Sequence, residues 1–135
     1  MENIHQLMHL YRTRQYASLK EDACELSHME FKVLNYFWHH PHATQKDLVR
    51  HSGRDKSQLA RLINGLKEKG LLDASVDPLD RRVVRISLTD SGDSIHAHVH
   101  SLGKELAEKA FNGLTEQESG QLLHLLQKIR NNLTD

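Results

Sequence analysis

Apolar residues recur along most of this chain at helical spacing, and in one stretch they switch to alternation. Ile4, Leu7, Met8 and Tyr11 fall at i, i+3, i+4 and i+7, which predicts a first helix that the polar stretch Lys20-Glu21-Asp22 interrupts. Ser27 followed by Glu30 reads as a capping box, with Val33, Leu34, Phe37 and Trp38 behind it as a buried stripe. Pro41 forbids helix through His40, so this second helix ends near His39. Thr44 with Asp47 opens a short third helix, Gln45 to about His51, which closes at Ser52-Gly53. Asp55 can cap a fourth helix with Gln58 at the reciprocal position, and Leu59, Leu62, Ile63 and Leu66 form its apolar stripe until Gly70 stops it.

After Gly70 the period changes from 3.6 to 2. Leu72, Ala74 and Val76 alternate with polar residues, and Val84, Ile86 and Leu88 alternate with Val83, Arg85 and Ser87. Between these strands Asp77-Pro78 matches the first two positions of a type I turn, and Arg81 and Arg82 sit at the tip. Thr89 then caps a long helix with Ile95, Val99, Leu102 and Leu106 on one stripe. Thr115 with Glu118 boxes a last helix carrying Leu122, Leu125, Leu126, Ile129 and Leu133. The expected fold is mainly α with a small β-hairpin wing.

Composition narrows the class. The 135 residues allow one domain or one protomer of a symmetric assembly; 38% apolar and 27% charged residues suit a globular chain. No apolar run approaches the about twenty residues of a membrane span. The start Met1-Glu2-Asn3-Ile4-His5 lacks a secretory signal, and the single Cys24 cannot make an intrachain disulfide, so a cytoplasmic protein is expected. No Gly-x-Ser-x-Gly, His-Glu-x-x-His or phosphate loop organises the abundant histidines and carboxylates, so no enzyme and no cofactor is expected.

Net charge is zero, yet it is unevenly distributed. Between Thr44 and Gly92 there are ten Lys/Arg against seven Asp/Glu, which leaves eight against eleven in the flanks. A basic centre between acidic ends points to a phosphate-facing middle carried by segments with another task. Within it, a short helix, a glycine turn, a helix with a polar outer face and a hairpin compose a helix-turn-helix with a wing. On the fourth helix Ser57, Arg61 and Asn64 lie opposite the apolar stripe, flanked by Lys56, Gln58, Ala60 and Lys67. Arginine pairs bidentately with guanine, and asparagine or glutamine with adenine, in the major groove; Arg81 and Arg82 suit phosphates or the minor groove. Lys67, Lys69 and Arg85 read as solvated charges or weak phosphate contacts.

Three stretches resemble the MarR family of bacterial winged-helix transcription regulators. The run from Asp55 to Leu71 is similar to the family's recognition helix, although Ala60 stands where Thr is often found. Asp80-x-Arg82 followed by Leu88-Thr89-x-x-Gly92 is similar to its wing signature, and Leu114-Thr115-Glu116-Gln117-Glu118 with the leucine-rich stretch behind it resembles its last helix. The resemblance covers nearly the whole chain. It implies a single domain over 1–135, with a winged core at 27–92 and dimerisation helices at 1–22 and 93–135. It further implies a homodimer on a pseudopalindromic operator in double-stranded DNA, most often a repressor released by a small-molecule or other effector. Ser57, Gln58, Arg61 and Asn64 would face bases or phosphates, and Arg82 would be the wing arginine oriented by Asp80.

Two other readings compete. Eleven histidines, with His39-His40-x-His42 and His96-x-His98-x-His100, raise a metal-responsive or metal-binding sensor, because neutral imidazole ligates zinc, copper or nickel. The spacing is poor: His96 and His100 share a helix face while His98 points away, so solvated or interface histidines are expected and no metal ligand is assigned. Cys24 sits beside Asp22 and Glu25, which disfavour a thiolate, so it reads as a plain reduced thiol rather than a peroxide sensor. The other rival is a winged-helix module that binds protein rather than DNA.

Overall fold

The helices form where capping chemistry and apolar periodicity coincide. A computed structural model describes residues 1–21 and 26–134; Cys24 lies outside the described residues. The elements run α1 (Glu2–Glu21), α2 (His28–His39), α3 (Gln45–Ser52), α4 (Lys56–Glu68), β1 (Leu72–Val76), β2 (Val84–Leu88), α5 (Asp90–Ala110) and α6 (Glu116–Asn132).

Three of the four expected capping boxes close in both directions. Ser27 Oγ accepts from Glu30 N–H (3.1 Å) and Glu30 returns to Ser27 N–H (3.2 Å); Thr44 with Asp47 and Thr115 with Glu118 do the same. At α4 only half forms. The Asp55 carboxylate accepts from Gln58 N–H (3.3 Å), while the Gln58 side chain stays exposed and gives no return bond.

The chain divides into two compact units, residues 1–102 and 103–135. In the first, Val33, Leu34 and Phe37 of α2 meet Leu48 of α3 and Leu59, Ile63 and Leu66 of α4. Leu71, Leu72 and Ile86 close the core from the hairpin side. The strands pair antiparallel in the register Leu72↔Leu88 to Val76↔Val84. A third, one-residue strand was not read from the sequence: Ala43 bridges to Ile86, with Ile86 N–H to Ala43 O at 2.9 Å and His42 N–H to Ile86 O at 3.1 Å. It ties the α2–α3 connection onto the wing, and His42 takes a left-handed backbone (φ 66°) to reach it.

Three expectations change. Trp38, placed on the buried stripe, is 47% exposed. One ring face stacks on His96 with centroids 4.4 Å apart. His96, expected to be solvated or at an interface, is only 3% exposed and is the buried polar residue of the described core. It also stacks on Phe31, and its Nε2 lies 2.8 Å from Asn35 Oδ1, so it fastens α5 to α2. Helical periodicity cannot reveal this pairing because the partners lie far apart in sequence. Finally, the hydrogen-bonded turn at the hairpin tip is Asp80–Val83 (Val83 N–H to Asp80 O, 3.0 Å) rather than one begun by Asp77-Pro78. The Asp77 carboxylate instead captures Leu79 N–H at 2.8 Å, a side-chain turn that needs no backbone partner there.

The second unit holds the end of α5 and all of α6. None of the α6 side chains is buried, and Leu122, Leu123, Leu125, Leu126, Ile129 and Leu133 are all substantially exposed. Among the described residues no helix is long and apolar enough to cross a membrane.

Candidate nucleic-acid interface

The turn between α3 and α4 is set by Gly53, which caps α3 in the left-handed conformation (φ 64°) and gives its N–H to Val49 O. Two residues later Asp55 caps α4, so the two helices meet through a minimal connection. With Leu59, Ile63 and Leu66 committed to the core, the 100° step of the helix leaves Lys56, Ser57, Gln58, Arg61 and Asn64 exposed. This row supplies two cations, a hydroxyl and two amides along three turns, so it can both donate and accept hydrogen bonds.

The wing follows directly from α4, and its tip is held by two carboxylates. Asp80 accepts from Arg82 N–H at 3.1 Å, from Arg82 Nε at 3.2 Å and from Nη2 at 3.5 Å, and the Arg82 side chain is still 91% exposed. This geometry orients Arg82 without consuming its remaining donors. Arg81 is also exposed beside it. Asp77 anchors the other side: hydrogen bonds from Leu79 N–H and then from the Arg85 guanidinium hold its carboxyl below the usual range. Arg85, which the sequence suggests is a solvated charge or a weak phosphate contact, is therefore tied to Asp77 at 2.9 Å and to His42 O at 3.3 Å. Lys69 is likewise engaged, with Glu30 of α2 at 2.8 Å. Burial pushes the Glu30 carboxyl up, but hydrogen bonds from Lys69 and Ser27 outweigh it and leave Glu30 below its ordinary value.

Thr89 and Gly92 fix how α5 leaves the wing. Thr89 Oγ1 donates to Gly70 O (2.6 Å) and accepts from Gly92 N–H (3.0 Å). A Cβ at Gly92 would fall inside the van der Waals envelope of Leu71 O, so only glycine allows this approach.

A cleft of about 490 Å³ opens between α2, α3 and the start of α4. Lys32, Tyr36, His40, His51 and Arg54 are among its lining, and among the described residues no carboxylate is. The Tyr36 ring lies 4.6 Å from His40 and 5.0 Å from His51. Among the described residues no group of three or more His, Cys, Asp or Glu is placed to hold a metal ion.

Comparison with known proteins agrees with this geometry. The MarR family model matches residues 25–83, the segment that builds the helix-turn-helix and most of the wing. The repressor NicR of Pseudomonas putida is 28% identical over 129 residues, 92% of this chain and 82% of NicR. A mutant MarR from E. coli, crystallised with operator DNA, is 27% identical with a TM-score of 0.70 over 94% of this chain and 93% of that one. A mutant MepR from S. aureus, 23% identical, shares the fold with a TM-score of 0.85 over 98% of this chain and 97% of its own. The exposed polar row of α4, the Asp80-held Arg82 and these matches together show a winged helix-turn-helix fold similar to that of the MarR family of transcription regulators.

Proposed function

We propose that this chain is a homodimeric, sequence-specific regulator of transcription that binds a pseudopalindromic operator in double-stranded DNA and represses until an effector releases it. The observation that carries the reading is the exposed row Lys56, Ser57, Gln58, Arg61 and Asn64 on the helix that leads into a wing whose Arg82 is pre-oriented by Asp80. A helix of this width fits the major groove, where Arg61, Asn64 and Gln58 read base edges and Lys56 and Ser57 hold the backbone. Arg81 and Arg82 of the wing meet phosphates or the adjacent minor groove. Residues 27–92 form the DNA-reading core in this account, and 1–22 and 93–135 serve dimerisation. The uncovered leucine face of α6 supports that division, because a monomer gains nothing by leaving such a face in water. Twofold pairing would set the two copies of α4 about 34 to 36 Å apart, one turn of B-form DNA.

Effector release needs a ligand that binds the wrongly spaced dimer better than the DNA-bound one. The cleft lined by Lys32, Arg54 and the Tyr36-His40-His51 group suits an anionic aromatic molecule, since Lys32 and Arg54 supply positive charge and its rings offer stacking faces.

The test is duplex binding by fluorescence anisotropy over a range of salt. Wild-type protein is expected to bind with a steep salt dependence, and Arg82→Ala to weaken binding and flatten the slope of log K against log salt by about 0.9, the share of one phosphate contact. Binding without salt dependence, or none to any duplex from a randomised pool, would assign the winged lobe to a protein partner instead.

A further inference from the structure

The wing tip carries apolar side chains where cations alone would serve electrostatic attraction. Leu79 is 96% exposed, Val76 55% and Val84 42%. Val76 and Val84 are cross-strand partners two residues beyond the Ala74↔Ile86 pair, so the hairpin face that Ile86 buries at its base continues outward uncovered. Leu79 is not held loosely: its N–H binds the Asp77 carboxylate at 2.8 Å, and the same carboxylate grips Arg85 Nε at 3.0 Å. A scattered surface leucine needs no explanation. This one stands on backbone held by the Asp77 carboxylate, next to Arg81 and Arg82.

The occupant that matches such a tip has anionic rims and an apolar recess. The minor groove of DNA has both: phosphates at its edges and deoxyribose C–H groups along its walls. Its floor carries only acceptors at A·T pairs, whereas guanine adds one protruding donor, the N2 amino group. Arg81 and Arg82 can satisfy floor acceptors but have no acceptor to offer. The Asp80 carboxylate is already occupied by Arg82 N–H, Nε and Nη2. A guanine amino group covered by Leu79 would therefore lose water and gain nothing.

We propose that Leu79 is a specificity-determining residue that makes the wing select A·T over G·C pairs in the minor groove by excluding the guanine N2 amino group. This rests on the DNA-binding reading. The test uses a duplex selected from a randomised pool, with the pairs outside the major-groove half-sites changed in turn to A·T, G·C or inosine·C; inosine is guanine without the N2 amino group. Wild-type protein is expected to bind A·T and inosine·C alike at the wing's position and G·C about tenfold more weakly, the loss an unsatisfied buried donor brings. Leu79→Asn, whose amide oxygen can accept from that amino group, is expected to abolish the difference, and Leu79→Ala to reduce it. Equal binding to G·C and inosine·C by wild type, or discrimination unchanged in both variants, overturns the proposal. So does a Leu79→Asn protein that keeps its selectivity but dissociates into monomers in sedimentation, which would give the apolar tip to a second copy of the chain. If no duplex binds in a salt-sensitive manner, the DNA-binding reading itself fails.

Discussion

A single methyl group at position 92 would break the joint between the wing and α5. Gly92 lies against Leu71 O, and its N–H is held by Thr89, whose hydroxyl also donates to Gly70 O. Gly92→Ala is expected to cost about 3 kcal/mol, at the upper end of overpacking effects because the obstacle is backbone, and urea unfolding measures it. A midpoint within experimental error of wild type would mean that α5 can shift without loss. The Leu88-Thr89-x-x-Gly92 pattern was visible in the sequence, but its reason was not, since the partner carbonyl belongs to another loop. The same holds for Asp80 and Arg82. Their proximity can be read along the chain, whereas the engagement of Arg85 with Asp77 and His42, and of Lys69 with Glu30, depends on tertiary approach, and the sequence alone suggests only solvated charges or weak phosphate contacts there.

At the scale of elements, local chemistry was enough for most helix starts. Ser27, Thr44 and Thr115 cap as their spacing indicates, and Gly53 ends α3 where a left-handed residue is needed. The Ala43 bridge to β2 and the stack of His96 on Trp38 were not legible, because one residue of strand has no period and an aromatic contact between α2 and α5 has no sequence spacing to betray it. The histidine contact makes stability depend on pH. Burial lowers the His96 pKa from 6.5, and the nearby His100 and His39 lower it further, while Asp93 acts in the opposite sense. His28 of α2 is lowered too, first by burial and then by Lys32, Arg12 and Arg54. Below 6.5 the unfolded chain takes up protons that the folded imidazole resists, so stability is full above that pH and falls as pH drops below it. The urea midpoint is expected to decrease between pH 7.5 and 5.5, and His96→Phe, which keeps the stack without the proton, to flatten that decrease. An unchanged slope in the variant would remove His96 from the explanation.

For the whole molecule, the two units pose different problems. The first has a closed core; α6 in the second buries no side chain, although Leu122, Leu125, Leu126 and Ile129 repeat along one stripe. That stripe was fully legible as an amphipathic helix, but periodicity says nothing of what covers it. If a second copy does, Leu126→Asp together with Ile129→Asp should shift sedimentation from dimer to monomer at micromolar concentration and weaken operator binding at least a hundredfold, because each half-site would then be bound separately. A variant that remains dimeric would assign the contact to other segments.

The central claim is that the outward row of α4 reads base edges from a twofold pair of subunits. The most direct measurement is anisotropy titration of wild-type and Arg61→Ala protein on a duplex selected from a randomised pool and on its scrambled counterpart, with stoichiometry read from the same curves. The account predicts two chains per selected duplex, and for Arg61→Ala a loss of about 1 to 3 kcal/mol on the selected sequence with little loss on the scrambled one. Equal losses on both duplexes, or saturation at one chain per duplex, would contradict it.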